Sequence, residues 1–154
     1  MACVLPACAG LAALDKGREI HGYILRRGYF SDLHVACVLV DMYAKCGLLV
    51  LAQLLFDMNP KKDLISWTIM IPGYGMHEFG KEAISTFNEM RIAGIKPDES
   101  SFAAILNSCS HPGVLHKGWR FFNFMRNECG IEQKLEHYAC MVDLLSRAGN
   151  LSKV

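Results

Sequence analysis

The chain has 154 residues, of which 52% are hydrophobic and 20% are charged, and its formal net charge is +1. With only five prolines and no tract rich in Ser, Gln or Gly, this composition excludes a disordered or low-complexity chain. The balanced charge offers no bulk attraction for nucleic acid, so a nucleic-acid function would depend on where individual charges lie. No apolar run approaches the roughly 20 residues that a membrane-spanning helix requires.

The seven cysteines are an odd number and include no C-x-x-C pair, the spacing typical of zinc sites and redox motifs. We therefore expect reduced, mostly buried thiols in an intracellular compartment, with no metal and no other cofactor. The apolar residues 1–14 resemble the core of a secretory signal, but no basic residue precedes them and Pro6 interrupts them. We expect a helix there instead.

A repeat runs through the chain. One marker is the last residue of each unit, which follows a turn containing Gly or Pro and recurs at intervals of 31, 35 and 36: Asp32, Asp63, Asp98 and Lys134. A second marker near the end of each first helix has intervals of 35, 31, 35 and 36: Cys8, Tyr43, Tyr74, Cys109 and Leu145. The predicted units are a partial one at 1–32, complete ones at 33–63, 64–98 and 99–134, and a truncated one at 135–154.

Each unit is predicted to be a pair of short helices. In unit 64–98 the apolar residues of the first helix fall at i, i+3, i+4 and i+7 from Trp67, and those of the second at i, i+4 and i+7 from Ala83. Gly80 suits the turn between the helices, Gly94 suits a helix carboxyl terminus, and Pro97 stops any continuation. Because Pro72 would leave the Thr68 carbonyl without its helical donor, the first helix is expected to kink there.

Helical pairs of this length predict an all-α fold, an α-solenoid of stacked antiparallel helix pairs. Small residues recur on the second helices, where close approach of two backbones requires them: Gly17, Ala52, Ala83 and Gly118. The helix predicted from Leu135 to Arg147 should leave an apolar face uncovered, and we expect the chain to be a piece of a longer protein.

The order of these units resembles plant pentatricopeptide repeat proteins whose units alternate in length. Residues 4–32 (GREIHGYILRRGYFSD) resemble the long unit of that family, 33–63 (LVDMYAKCG) the short unit and 64–98 the standard unit. The segments CSHPGVLHKGW and EHYACMVDLL resemble the units that precede its carboxyl-terminal extension. The sequence as a whole is most similar to chloroplast RNA-editing factors that carry a terminal deaminase-like domain. The 154 residues do not include that domain.

The resemblance implies a right-handed superhelix that binds single-stranded organellar RNA as the recognition part of a factor for cytidine-to-uridine editing, together with other editing factors. It implies a chloroplast location, with the mitochondrion as the alternative, and neither a membrane nor a small-molecule substrate as partner. In that family each unit reads one base with its fifth and its last residue, while its second residue presses on the base.

In unit 64–98 the implied reading pair is Thr68 and Asp98, a combination associated with guanine, and Ile65 is the second residue. In unit 33–63 the pair is Cys37 and Asp63, with His34 as the second residue. In units 99–134 and 135–154, the fifth residues Ala103 and Ala139 cannot specify a base by hydrogen bonds. The family also implies weak contacts with the RNA backbone from Lys45 and Arg147.

The residues do not predict an enzyme. A zinc deaminase requires H-x-E and a later P-C-x-x-C, and the chain contains neither. Cys109 with His111, and His137 with Cys140, could suggest a nucleophile and a base, but core or turn positions are the better interpretation. For the aromatic residues, packing is a better interpretation than base stacking: Trp67, Trp119, Phe121, Phe122 and Phe124. The competing function is a protein-binding scaffold of tetratricopeptide type; the alternating unit lengths and the ending Gly-x-x-Pro-Asp favour RNA.

Overall fold

The computed structural model describes residues 4–11, 13–110 and 114–151. Within these ranges the chain forms α-helices joined by short turns, with one turn of 3-10 helix at Tyr29–Ser31 and no β-strand. The helices are α1 (Val4–Gly10), α2 (Leu14–Arg27), α3 (Leu33–Lys45), α4 (Leu49–Met58), α5 (Leu64–Met76), α6 (Gly80–Ile92), α7 (Glu99–Ser108), α8 (Leu115–Asn127) and α9 (Leu135–Leu151). The predicted all-α fold is confirmed.

The helices form two layers. The first helices α1, α3, α5, α7 and α9 make one layer, in which each packs against the next. Each of the second helices α2, α4, α6 and α8 packs against the first helix before it and the first helix after it. In the described residues the backbones of successive second helices stay apart. This arrangement is an α-solenoid, in which each unit is stabilised by its neighbours.

Small residues allow the two layers to approach closely, as the sequence predicts. A Cβ atom at Gly17 would lie 2.6 Å from the sulfur of Met42, and one at Gly118 would overlap the side chain of Leu144. Ala52 and Ala83 are fully buried. The second helices therefore meet the following first helices at positions where larger side chains would force them apart.

The turn between α5 and α6 differs from the prediction. Gly80 does not form the turn but begins α6, where an added Cβ atom would lie 2.9 Å from the carbonyl oxygen of Ser108. The residue in the left-handed region is Glu78, with φ of 67°. Gly47 has φ of 80° at the corresponding point between α3 and α4. The chain thus places glutamate where the preceding unit has glycine.

Two further expectations concern helix ends and interruptions. Helix α5 is continuous through Pro72 to Met76, and the expected kink at this proline stays a prediction. Helix α9 extends past the predicted end at Arg147 to Leu151. Its predicted uncovered face is confirmed, since Leu135 is 85% exposed and Val142 is 64% exposed.

The core lies between the two layers and is continuous from α1 to α9. Phe87 packs edge-on against Phe102 and Phe121, with ring centroids 5.4 and 5.2 Å apart. Trp67 is buried, as predicted for a packing residue, whereas Trp119 is 48% exposed and packs edge-on against Phe122, with ring centroids 6.0 Å apart. None of the helices in the described ranges combines the length and hydropathy of a membrane span.

Candidate nucleic-acid interface

The candidate base-reading residues cluster at the amino-terminal ends of the first helices. Asp32, Asp63 and Asp98 are the N-cap residues of α3, α5 and α7, and each carboxylate accepts hydrogen bonds from backbone amides of the first helical turn. Aspartate is favoured at this position because those amides have no partner within the helix. The helix geometry therefore fixes where the last residue of each unit lies.

Asp98 is held most firmly. Its Oδ1 atom accepts hydrogen bonds from the backbone amide of Ser101 at 2.8 Å and from the Ser101 hydroxyl at 2.6 Å. The Ser101 hydroxyl oxygen in turn accepts from the Asp98 amide at 3.3 Å, which completes a capping box. Asp98 is exposed, and its Oδ2 atom accepts no hydrogen bond from the described part of the chain. That oxygen is free to accept one from a ligand.

The predicted pair of unit 33–63 is joined through a serine. The Ser66 hydroxyl donates to Asp63 Oδ1 at 2.8 Å, and its oxygen lies 3.3 Å from the Cys37 sulfur. The fifth and the last residue of this unit therefore converge on one point. However, Cys37 is only 6% exposed, and burial raises the pKa of its thiol. Asp63 is accessible here, whereas the thiol is not.

Thr68 is half-buried on α5, and its hydroxyl is turned towards its own helix. The Oγ1 atom lies 3.0 Å from the carbonyl oxygens of both Leu64 and Ile65, so its single proton can be donated to either one. To donate to a ligand, the hydroxyl must give up this bond. Ile65 is 60% exposed, and His34, at the same position of α3, is exposed too.

The last residue of unit 99–134 is tied both to its own unit and to the next. Lys134 Nζ lies 2.6 Å from Glu99 Oε2, and the Lys134 amide donates to His137 Nδ1 at 3.0 Å. With Nδ1 as an acceptor, the tautomer assigned by these contacts has its proton on Nε2, which lies 2.9 Å from the Glu99 carbonyl oxygen. A fully buried histidine thus takes the position that serine holds in the two preceding units. Ala103, the fifth residue of this unit, and Ala139, the fifth residue of unit 135–154, offer no side-chain polar atom.

The two candidate backbone contacts are both paired within their helices. Lys45 Nζ lies 2.7 Å from Asp41 Oδ2, and Arg147 Nε lies 3.0 Å from Asp143 Oδ2. Both cations are partly exposed, so the pairs are weak, about 0.3–0.5 kcal/mol each for this helical spacing. A phosphate would compete with an aspartate for each of them.

Ser66 and Ser101 are the polar residues that the sequence analysis missed. Each is the third residue of a first helix and orients the aspartate before it. The spacing Asp-x-x-Ser, present as DLIS and DESS, is that of a capping box and could have revealed them.

Three of the residues that could suggest a nucleophile or a base, Cys109, His137 and Cys140, lie in the packed interior. Burial raises the pKa of the Cys109 thiol to about 12, so it is protonated at neutral pH. Cys140 and His137 are buried between α7 and α9. His111 lies outside the described residues. Among the residues that the structure describes, no three His, Cys, Asp or Glu side chains are grouped as a metal site would require.

Comparison with known proteins agrees with the repeat geometry. Residues 62–111 match the PPR repeat family. The chain is 67% identical over 153 residues to the pentatricopeptide repeat-containing protein DOT4, chloroplastic, of Arabidopsis thaliana. It is 48% identical over 153 residues to the pentatricopeptide repeat-containing protein CRR2, chloroplastic, of the same plant. Each alignment covers 99% of this chain but only 18% and 23% of the relative, so the chain spans about a fifth of their length.

Among solved structures, the fold is similar to the crystal structure of the pentatricopeptide repeat protein PPR10 from maize. The TM-score is 0.72 at 16% sequence identity, and the match covers 97% of this chain and 22% of that one. At this identity the likeness concerns the fold alone.

Proposed function

The chain belongs to the pentatricopeptide repeat family, and on that basis we propose that it binds single-stranded RNA along the amino-terminal ends of its first helices. Helical repeats of this kind hold unstacked bases against two or three side chains per unit. The observation that carries the proposal is the convergence of Cys37, Ser66 and Asp63, which brings the fifth and last residues of one unit to a single point. Asp98 and Ser101 repeat the hydrogen bond between serine and aspartate at the start of the next first helix.

Unit 64–98 is the proposed base-discriminating unit. The Watson–Crick edge of guanine presents two adjacent donors and one carbonyl acceptor. Asp98 Oδ2 can accept from the donors, and the Thr68 hydroxyl can donate to the carbonyl once it leaves the helix backbone. The exposed side chain of Ile65 would pack on the face of the base.

Unit 33–63 contributes less discrimination. Asp63 and His34 remain in the proposed interface, but the buried thiol of Cys37 leaves the unit without an exposed partner for Asp63. Lys45 and Arg147 contact phosphates only when these displace Asp41 and Asp143, so backbone affinity is modest and falls as salt rises.

The proposed role in the cell is site recognition for organellar RNA processing, with cytidine-to-uridine editing as the reaction served and other editing factors as partners. The alternation of unit lengths and the chloroplastic relatives at 67% and 48% identity support this role and a chloroplast location. The deaminating chemistry would come from outside these residues.

The test is selection of binders from a randomised single-stranded RNA pool at low and at physiological salt, with single-stranded DNA and duplex RNA pools as controls. We expect enrichment of a guanine at one position in the single-stranded RNA pool. Equal enrichment of all bases at every position would contradict the proposal and favour a protein-binding scaffold.

A further inference from the structure

A groove opens between the second helices α6 and α8, in the layer opposite the candidate RNA-binding residues. It encloses a cavity of about 250 Å³. We call it the α6–α8 groove and define it by its lining side chains: Ile84, Asn88, Arg91, Lys117, Arg120, Phe121, Phe124 and Glu128. A second cavity of about 380 Å³ shares Arg91, Phe124 and Glu128 with it and extends to Lys96 and Pro97. The groove is therefore elongated.

The floor of the groove is apolar and firmly held. Phe121 and Phe124 are half-buried and pack against the core between the layers. The guanidinium carbon of Arg91 lies 4.1 Å from the centroid of the Phe124 ring, a cation–π contact that holds this cation over the floor. A ligand would thus meet a flat aromatic surface beside an oriented guanidinium.

The walls of the groove are cationic. Arg91, Lys117 and Arg120 face a single carboxylate, Glu128. None of these three cations forms an ion pair or a side-chain hydrogen bond within the described ranges, in contrast to Lys45, Lys134 and Arg147 elsewhere. Lys96 adds a fourth cation at the far end. Unpaired guanidinium groups are suited to bidentate binding of carboxylates.

We propose that the α6–α8 groove binds a short acidic segment of a partner protein, whose carboxylates pair with Arg91, Lys117 and Arg120 while an apolar side chain covers Phe121 and Phe124. The elongated shape suits an extended peptide better than a single anion. An RNA strand read by Thr68 and Asp98 runs along the first helices, whereas this groove lies between second helices. The groove and the reading residues therefore lie on different layers, and they approach each other where the second cavity reaches Pro97, next to Asp98.

The experiment measures binding of a fluorescein-labelled peptide in which aspartates flank two phenylalanines, with an asparagine version as the neutral control. Arg120→Ala should weaken binding of the acidic peptide by about threefold to fivefold, since one exposed charge pair is lost. Arg126→Ala is the matched control, because Arg126 is an exposed arginine on the same helix outside the groove. It should leave the affinity unchanged, and the asparagine peptide should bind much more weakly than the acidic one.

Two outcomes would overturn the proposal. One is that the acidic peptide shows no saturable binding, or that Arg120→Ala and Arg126→Ala weaken its binding equally. The other is that Arg120→Ala lowers affinity for the RNA pool and not for the peptide, which would make the groove a phosphate site. If the wild-type chain bound the acidic peptide but no RNA, the proposed RNA-binding function would be contradicted and the groove proposal would stand.

Discussion

The Ser101 hydroxyl donates a 2.6 Å hydrogen bond to the same oxygen of Asp98 that accepts the Ser101 amide. One carboxylate oxygen is thereby committed to the helix terminus and the other is left for a ligand. Asp98 thus serves two purposes, capping α7 and, as we propose, reading a base. These two purposes can be separated by mutation because asparagine is also a good N-cap residue.

Asp98→Ala should lower the free energy of unfolding by about 1 kcal/mol, since the cap of α7 is lost. Asp98→Asn should keep most of that stability but replace a carboxylate oxygen with an amide, which changes the base preference. Urea unfolding together with RNA selection measures both effects. If Asp98→Asn retained the wild-type base preference, the carboxylate would not be a reading group.

Glu78 occupies the left-handed region with φ of 67°, a conformation that favours glycine. Glu78→Gly should raise the free energy of unfolding by about 1 kcal/mol, because strain of that order is removed from the turn between α5 and α6. Glu78→Ala, which keeps a Cβ atom, is the control and should give little gain. A glycine variant less stable than wild type in urea would show that the glutamate side chain stabilises the turn.

Gly75 allows α5 and α7 to approach each other. An added Cβ atom would overlap the Ser108 hydroxyl and lie 3.1 Å from the Ser108 Cα atom, so the backbone itself would have to move. Gly75→Ala should therefore destabilise the chain by about 1–3 kcal/mol in urea unfolding. Gly10→Ala is the matched control, since among the described residues nothing beyond its own helix backbone and chain neighbours lies within 4 Å of its added Cβ. Equal stability of the two variants would contradict the close approach.

Burial raises the pKa of the Cys109 thiol from 9.0 to about 12. The folded chain holds this proton more tightly than the unfolded chain, so the stabilisation is complete below about pH 9 and is lost as the pH rises towards 12. Stability should fall with pH in this window, and the slope should be shallower for Cys109→Ala. The measurement is urea unfolding of wild type and Cys109→Ala at pH 8, 9 and 10, values that span roughly the ordinary range of thiol pKa values. If stability fell with the same slope in both proteins, the Cys109 thiol would not be the titrating group.

The sequence predicted the fold well because its repeat constrains it strongly. Apolar residues at helical spacing and the recurring small residues Gly17 and Gly118 specify both the helix pairs and their close packing. The turn after α5 was predicted incorrectly because Gly80 is required by the neighbouring Ser108 carbonyl and not by the turn. A single chain does not reveal which of these two reasons applies to a glycine.

The candidate interface was less predictable from sequence. The positions of Asp63 and Asp98 follow from the repeat, but which atoms of a side chain are already engaged depends on tertiary contacts. The burial of Cys37 against Ser66, between two units, and the inward bond of Thr68 are of this kind. Their roles in base reading, and the boundaries of the units themselves, remain predictions.

The central claim is that Thr68 and Asp98 together read one base of single-stranded RNA. The most direct measurement compares the base enriched by the wild-type chain and by Thr68→Asn in the same randomised RNA pool at the same salt concentration. We predict that one position changes from guanine to uracil while the other positions stay the same. A guanine preference that is unchanged in Thr68→Asn would contradict the assignment of Thr68 and with it this account of recognition.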